Sequence, residues 1–393
     1  MNSIAKARST RLISAAAVVA AAALILAGCS STNSSTSSTK GNTLHADIAA
    51  GKVGTAADFS KIGAVCGSGP VTVSVVDGYG TNSWSKTVKA EIDSEAAKCK
   101  SIKSVAYTPG RGDLAATNSA ITGAAAKGTN ILLVIPDAGP GQAQLASIRK
   151  AVKAGTIVVP FASDPTGAAG TDYLDYADQI PSFSGQAWAQ WVVDTLGSKG
   201  GNVVFLGGPA GAAVSAQEFI GIQKIFAKNP QIKLLTPEPV TTNWDPAQAQ
   251  QAMAGLLSQF PKIDAVISDY GASASGVIRA YQSAGVSIPL LTSTDDNSLS
   301  CGFDALKATN PDYELATNSS RTWIGRVALR KALAAFYGKK DTEPSMYNLG
   351  LVEDSTGKTS GTKKPAEACL KDAPTDASPS SLLTTAEFKK IFG

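Results

Sequence analysis

Aspartate recurs in this chain wherever an apolar run ends. Asp77 follows Val71–Val76, Asp137 follows Ile131–Pro136, and Asp164 follows Ile157–Ser163. Further on, Asp269 follows Ile263–Ser268, and Asp295 with Asp296 follows Leu290–Thr294. An ionised carboxylate accepts hydrogen bonds from hydroxyls, and such charge-assisted bonds are stronger than neutral ones. A crevice lined by carboxylates and amides therefore suits a neutral, polyhydroxylated ligand. The apolar C–H face of a sugar is covered by an aromatic ring. Two tryptophans sit in suitable loops: Trp84, just after Asn82, and Trp244, within Thr241-Thr242-Asn243-Trp244-Asp245-Pro246. Aspartate also caps helix N-termini, a structural role expected of one or two of these residues. Asp264 lies at the opposite end of its strand and is read as structural; Trp188 and Trp191, on a helical stripe, are read as core.

Other chemistries lack their residues. Gly207-Gly208-Pro209-Ala210-Gly211 follows a strand but has no Gly-Lys-Ser/Thr of a phosphate loop, so it reads as a tight turn. There is no Gly-x-Ser-x-Gly elbow, and the single histidine, His45, precedes the folded part, leaving no general base of that type. A glycosidase working through a carboxylate pair is the formal rival, since aspartates are plentiful. Arg111-Gly112-Asp113 spells an adhesion tripeptide that arises often by chance. No basic run accompanies the net charge of +4, which excludes a nucleic-acid reader. Without CxxC pairs, a metal site is not expected either, and no cofactor is implied.

The elements that must position these residues alternate. Val71–Val76, Val105–Thr108, Ile131–Ile135 and Ile157–Phe161 read as buried strands, separated by helices marked by Trp84, Val88 and Ile92, by Leu114, Ile121 and Ala125, and by residues 142–154. The pattern then restarts with the stripe Trp188, Trp191, Val192, Leu196. Strands Asn202–Leu206, Ile232–Leu235, Ile263–Ser268 and Ile288–Thr292 follow, with helices near 215–228, 246–259 and 272–283. Ala154-Gly155 and Ala284-Gly285 each close a helix on a glycine that tolerates a left-handed cap, and a strand starts soon after. Strict alternation means parallel sheets with right-handed crossovers, here as two doubly wound α/β lobes. In such sheets ligands bind outside the carboxyl ends of the strands, where the aspartates are.

Both ends of the chain add information. Lys6, Arg8 and Arg11 precede a short apolar run ending Leu24-Ile25-Leu26-Ala27-Gly28-Cys29, the layout of a secretory signal. Its last four residues resemble a bacterial lipobox, which makes Cys29 the expected lipidation site. Ser30–Asn42 is almost all Ser, Thr, Asn and Gly, a tether that cannot fold. The protein is thus expected outside the cytoplasm, lipid-anchored at a membrane. Cys66, Cys99, Cys301 and Cys369 remain, an even number in an oxidising compartment. Three connectivities are open; Cys66–Cys99 and Cys301–Cys369 is favoured because each pair stays within one region.

Several stretches carry a family resemblance: Asp77-Gly78-Tyr79-Gly80-Thr81-Asn82-Ser83-Trp84, then Gly128–Asp137, Ala154–Asp164, Gly200–Gly208, Pro261–Asp269, Gly276 to Gly285 and Leu290–Asp296. In this order they resemble type I periplasmic binding proteins of the ribose class, the solute receptors of ABC sugar importers. The resemblance implies two lobes joined by three hinge strands that close on a sugar or polyol, a monomer, no enzyme, and delivery to a permease. The division expected is a signal over 1–28, tether over 29–60, first lobe over 61–179 completed by about 320–345, and second lobe over 180–319 completed by about 346–393. Ligand contacts are implied for Asn82, Trp84, Trp244, Asp295 and Asp164, which join Asp77, Asp137 and Asp269 from the strand ends. Ser319 and Ser320 fall near a polar hinge position. The chain departs from the pattern where relatives carry an arginine three residues before the glycine of the helix after Gly208; counting back from Gly221 gives Glu218. Ile135 stands where ribose binders often have asparagine, so ribose itself is disfavoured. Arg321 or Arg111 could supply a replacement cation for an acidic sugar. A sensory receptor signalling to a chemoreceptor or kinase, or a receptor for a non-sugar signalling molecule, would use the same fold.

Overall fold

The computed structural model describes residues 59–393. The signal, Cys29, the tether and His45 lie outside the described residues. Two parallel sheets organise the chain. The first is built from β1 (Val71–Asp77), β2 (Ile102–Pro109), β3 (Ile131–Ile135) and β4 (Ile157–Pro160) in the order β2-β1-β3-β4. Central β3 is Ile-Leu-Leu-Val-Ile and buried throughout, as a strand covered on both faces must be; edge strand β2 alternates in burial. Helices α1 (Ser83–Ala96), α2 (Leu114–Ala126) and α3 (Leu145–Lys153) make the crossovers.

After the two-residue strand β5 (Asp178–Gln179), the second lobe begins with α4 (Pro181–Leu196). It continues through β6 (Gly201–Gly207), α5 (Ala213–Phe226), β7 (Ile232–Leu234), β8 (Val240–Thr241), α6 (Pro246–Gln259), β9 (Ala265–Ser268), α7 (Gly271–Ala284), β10 (Leu290–Thr294), α8 (Asn297–Thr309) and β11 (Leu315–Asn318). The chain ends with α9 (Ile324–Phe336), β12 (Met346–Tyr347), β13 (Leu351–Asp354), α10 (Pro365–Ala368) and α11 (Thr385–Phe392). The second sheet runs β13-β11-β10-β9-β6-β7, with β8 also on β6 and only β13 antiparallel. Trp188 and Trp191 are core residues, their indole N–H groups donating to the Ser293 carbonyl and to Asp354. Asp264 accepts from the Asn202 amide and pairs with Lys262, the structural role read for it. Gly155 and Gly285 both adopt positive φ at the ends of their helices.

Three segments cross between the lobes. β5 pairs with β12 through Asp178↔Met346 and Gln179↔Tyr347, forming two of them. The third is the run from Ser319 to Trp323, after which α9 packs on α1, β3 and β4 of the first lobe. Ile324, Val327, Ala328 and Leu333 of α9 share a core with Val73, Val88, Ile92 and Leu133. Both disulfides form as favoured, Cys66–Cys99 in the first lobe and Cys301–Cys369 tying α8 to the chain after α10.

The C-terminal segment departs from expectation. β13 pairs with β11 and α10 packs on α8, both in the second lobe, but the chain then leaves it. Ser380 lies on Ser319, and the Leu382 amide donates to Glu91 of α1. Ala377, Leu383 and Phe388 then pack around Ala90, so α11 belongs to the first lobe. A capping box of Thr384 with Glu387 starts α11.

Candidate functional site

The first lobe presents three loops, after β1, β3 and β4, the last through Ala162 and Ser163. Asn82 caps α1, its side-chain oxygen accepting from the Ser85 amide at 2.8 Å. This places Trp84 in the first turn, where its indole N–H donates to the Ser320 carbonyl at 2.7 Å and locks the ring against the third crossing. Asp137, beyond β3, turns toward the same space with its Oδ1 unpartnered.

The second lobe answers from three loops. Asp269, after β9, receives the Ser215 hydroxyl at 2.6 Å, the Gly208 amide at 3.0 Å and the Trp244 indole at 3.1 Å. All three reach Oδ2, and Oδ1 is left without a partner. Trp244 holds a left-handed backbone, φ +49°, and its ring lies on Gly208 so closely that a Cβ there would fall 2.2 Å from it. On α5, Glu218 stands one turn beyond Val214 and faces the same cavity. It is 1 % exposed, and neither carboxylate oxygen has a partner.

Arg321 joins the lobes. Its Nε pairs with Asp178 at 2.9 Å and an Nη with the Ala162 carbonyl at 3.1 Å, while the guanidinium lies 5.8 Å from the centre of the Trp84 ring. At the mouth the Tyr79 hydroxyl donates to the Asn243 carbonyl at 2.5 Å, and the Ser83 and Tyr270 hydroxyls meet at 2.6 Å. The space between these walls is about 520 Å³ when its open, solvent-filled mouth is counted.

Burial governs the electrostatics. It pushes the Asp269 carboxyl up to about 6, against the hydrogen bonds from Ser215, Trp244 and Gly208 that pull it down. Glu218 is raised well above the usual range by burial and then by the Asp269 charge, with Arg321 opposing. Asp137 is raised by burial and by Asp77.

Five of the eight residues expected to bind ligand line this cavity: Asn82, Trp84, Asp137, Trp244 and Asp269. Three do not. Asp77 lies beneath the first loop, accepting from the Tyr79 amide and the Tyr107 hydroxyl. Asp164 caps its own turn at the Thr166 amide and lines a neighbouring crevice, leaving Ser163 to face the cavity. Asp295 accepts the Ser320 and Ser380 amides, each at 2.5 Å, so both of its oxygens are filled within the protein. Asp296 is an N-cap, accepting from the Ser298 amide of α8. Arg111 lies on an exposed turn, and Asp113 of the adhesion-like tripeptide caps α2.

The local sequence pattern does not mark Tyr270, Thr294 or an inward-facing Glu218, and all three line the cavity. The departure at position 218 was the one signal available. Among the described residues no cluster of three His, Cys, Asp or Glu could hold a metal, and no helix is long and apolar enough to cross a membrane.

Two doubly wound lobes, three crossings and a closed cleft lined from both sides define a bilobal solute receptor. Residues 73–340 match the periplasmic binding protein domain family, and the chain belongs to it. This is a family of extracytoplasmic solute binders, not of enzymes. A xylitol-binding protein of Mycolicibacterium smegmatis is 36% identical over 97 residues, 24% of this chain and 27% of that protein. The D-allose-binding periplasmic protein of Escherichia coli is 33% identical over 101 residues, 26% of this chain and 32% of that one. The chain thus matches about a third or less of these relatives' lengths. Among solved structures, an ABC transporter solute-binding protein from Mycobacterium smegmatis with bound glycerol superimposes with a TM-score of 0.64 at 19% identity. That match covers 79% of this chain and 100% of the other.

Proposed function

We propose that this protein is a lipid-anchored receptor that captures a sugar or polyol between its lobes and delivers it to an ABC importer permease. The observation that carries the reading is the cleft itself, in which carboxylates and a tryptophan from each lobe converge on one space. Asn82, Trp84 and Asp137 bind from the first lobe, and Trp244 and Asp269 from the second. Ligand bridges both walls, and only the closed form makes both sets of contacts, so binding shifts the population toward closure. The relatives that bind xylitol and D-allose support the ligand class. Cys29 anchors the receptor at the membrane face, where the permease is.

A thermal-shift screen against pentoses, hexoses, polyols, sugar acids and nucleosides tests the reading. A ligand at 100 times its Kd adds about 2.7 kcal/mol of apparent stability if it binds only the folded state. Silence across all carbohydrates and polyols would sink the proposal. With a ligand in hand, Trp244→Ala weakens binding by about 1–3 kcal/mol, the worth of one stacked aromatic, while the lobes stay folded.

A further inference from the structure

The wall of the cavity is unbalanced in hydrogen-bonding type. Unpartnered carboxyl oxygens are Asp137 Oδ1, Asp269 Oδ1 and both oxygens of Glu218, all of them acceptors in the ionised form. Most donors, in contrast, are spent inside the protein. The Trp84 indole is held by Ser320, the Trp244 indole by Asp269, and Arg321 gives Nε and one Nη to Asp178 and Ala162. What remains is the Asn82 amide, the Ser320 hydroxyl and one guanidinium nitrogen. A buried acceptor without a donor carries its full desolvation cost. The best ligand is then the one that donates at the most positions. Every oxygen of an alditol or cyclitol is a hydroxyl and can donate. A ring sugar has an ether oxygen that only accepts, and a sugar acid adds a carboxylate that only accepts and is repelled.

We propose that Glu218 makes this site selective for acyclic or carbocyclic polyols over the ring sugars and sugar acids of matching carbon skeleton. The inference rests on the cleft being the ligand site, as proposed above. Glu218 is suited to the task because α5 fixes it in the wall and nothing in the protein satisfies it. Hydroxyl donors favour its ionised form, against the burial that favours the protonated one. The acidic-sugar alternative loses its cation, because Arg321 is already paired with Asp178.

Calorimetric titration of the purified protein with xylitol and D-xylose, D-glucitol and D-glucose, myo-inositol, D-gluconate and D-glucosamine is the test. The expected result is that a polyol binds at least tenfold tighter than its matched aldose, with gluconate silent. Glu218→Gln keeps the shape but replaces one acceptor oxygen by a donor NH2, and the polyol-to-aldose ratio falls at least fivefold. An aldose, gluconate or glucosamine binding tighter than every polyol overturns the inference, as does an unchanged ratio in Glu218→Gln. If that variant fails to fold, the wild-type ratio decides alone. Absence of binding by all seven compounds is a different failure, which removes the ligand reading and this inference with it.

Discussion

Asp269 and Asp295 look alike in sequence, each closing an apolar strand, yet they have different fates. Asp269 keeps one oxygen open to the cavity, whereas both Asp295 oxygens are filled by backbone amides. Replacing Asp295 by Ala therefore leaves one buried and one half-buried N–H group unmatched and lowers stability by about 2–4 kcal/mol in urea unfolding. Ligand Kd in that variant stays within about threefold; a larger loss would return Asp295 to the site. The buried carboxyls also set a pH response. Burial raises Asp269 to about 6, Asp296 to about 7 and Glu353 to about 8. Their unfolded values are near 4, so between those limits the folded state binds more protons than the unfolded one. Stability from these groups is present at low pH and lost as pH rises through each folded value. The ligand-free protein thus melts higher at pH 5 than at pH 8. In the proposed complex a polyol donates to ionised Asp269, so the expected ligand-induced rise in melting temperature is smaller at pH 5. Scanning fluorimetry at both pH values checks the two signs together.

At the scale of elements, Gly208 and Trp244 act as one part. The turn between β6 and α5 brings backbone where an indole must lie, and only a residue without Cβ allows it. Gly208→Ala pushes Trp244 off Asp269, and ligand affinity falls about tenfold or more while far-UV circular dichroism is kept, a loss on the scale of one misplaced anchor. Unchanged affinity would show that the ring is not held there. Much of this level was legible in the sequence. β3 and α6 fall on the residues expected, because a run of buried aliphatics and an Asp-Pro helix start are strong local signals. The glycine caps and the carboxylates at strand ends were equally plain. β5, β8 and β12 have two residues each and carry no periodicity to read. Glu218 reads locally as any polar position on an amphipathic helix. Its role emerges only when α5 is set against β9 and the crossing that carries Arg321. The capture of Asp295 by Ser380 spans 85 residues, beyond any local pattern.

At the scale of the molecule, the C-terminal segment is a fourth connection between lobes. Cys301–Cys369 and the bonds from Asn297 to Leu370 and Ala377 fix its start on α8, and the Ser381 and Leu382 bonds to Glu91 fix its end on α1. Glu91 also pairs with Arg326 of α9, so the segment is fastened to a buried ion-pair network. Replacing both Cys301 and Cys369 by Ser opens a loop of 68 residues, worth about 4 kcal/mol in the chain-entropy picture. Denaturant unfolding reads that loss, and limited proteolysis beyond residue 369 becomes faster. Affinity for ligand is retained, since no residue of the cavity is touched. Ser380 rests on Ser319, inside the third crossing, which sets this connection beside the line about which the lobes would swing. A cord fastened at a pivot barely changes length during rotation, yet it resists sliding and torsion. In the closure proposed above, opening parts Tyr79 from Asn243 and Ser83 from Tyr270, while the C-terminal cord beside the pivot stays fastened.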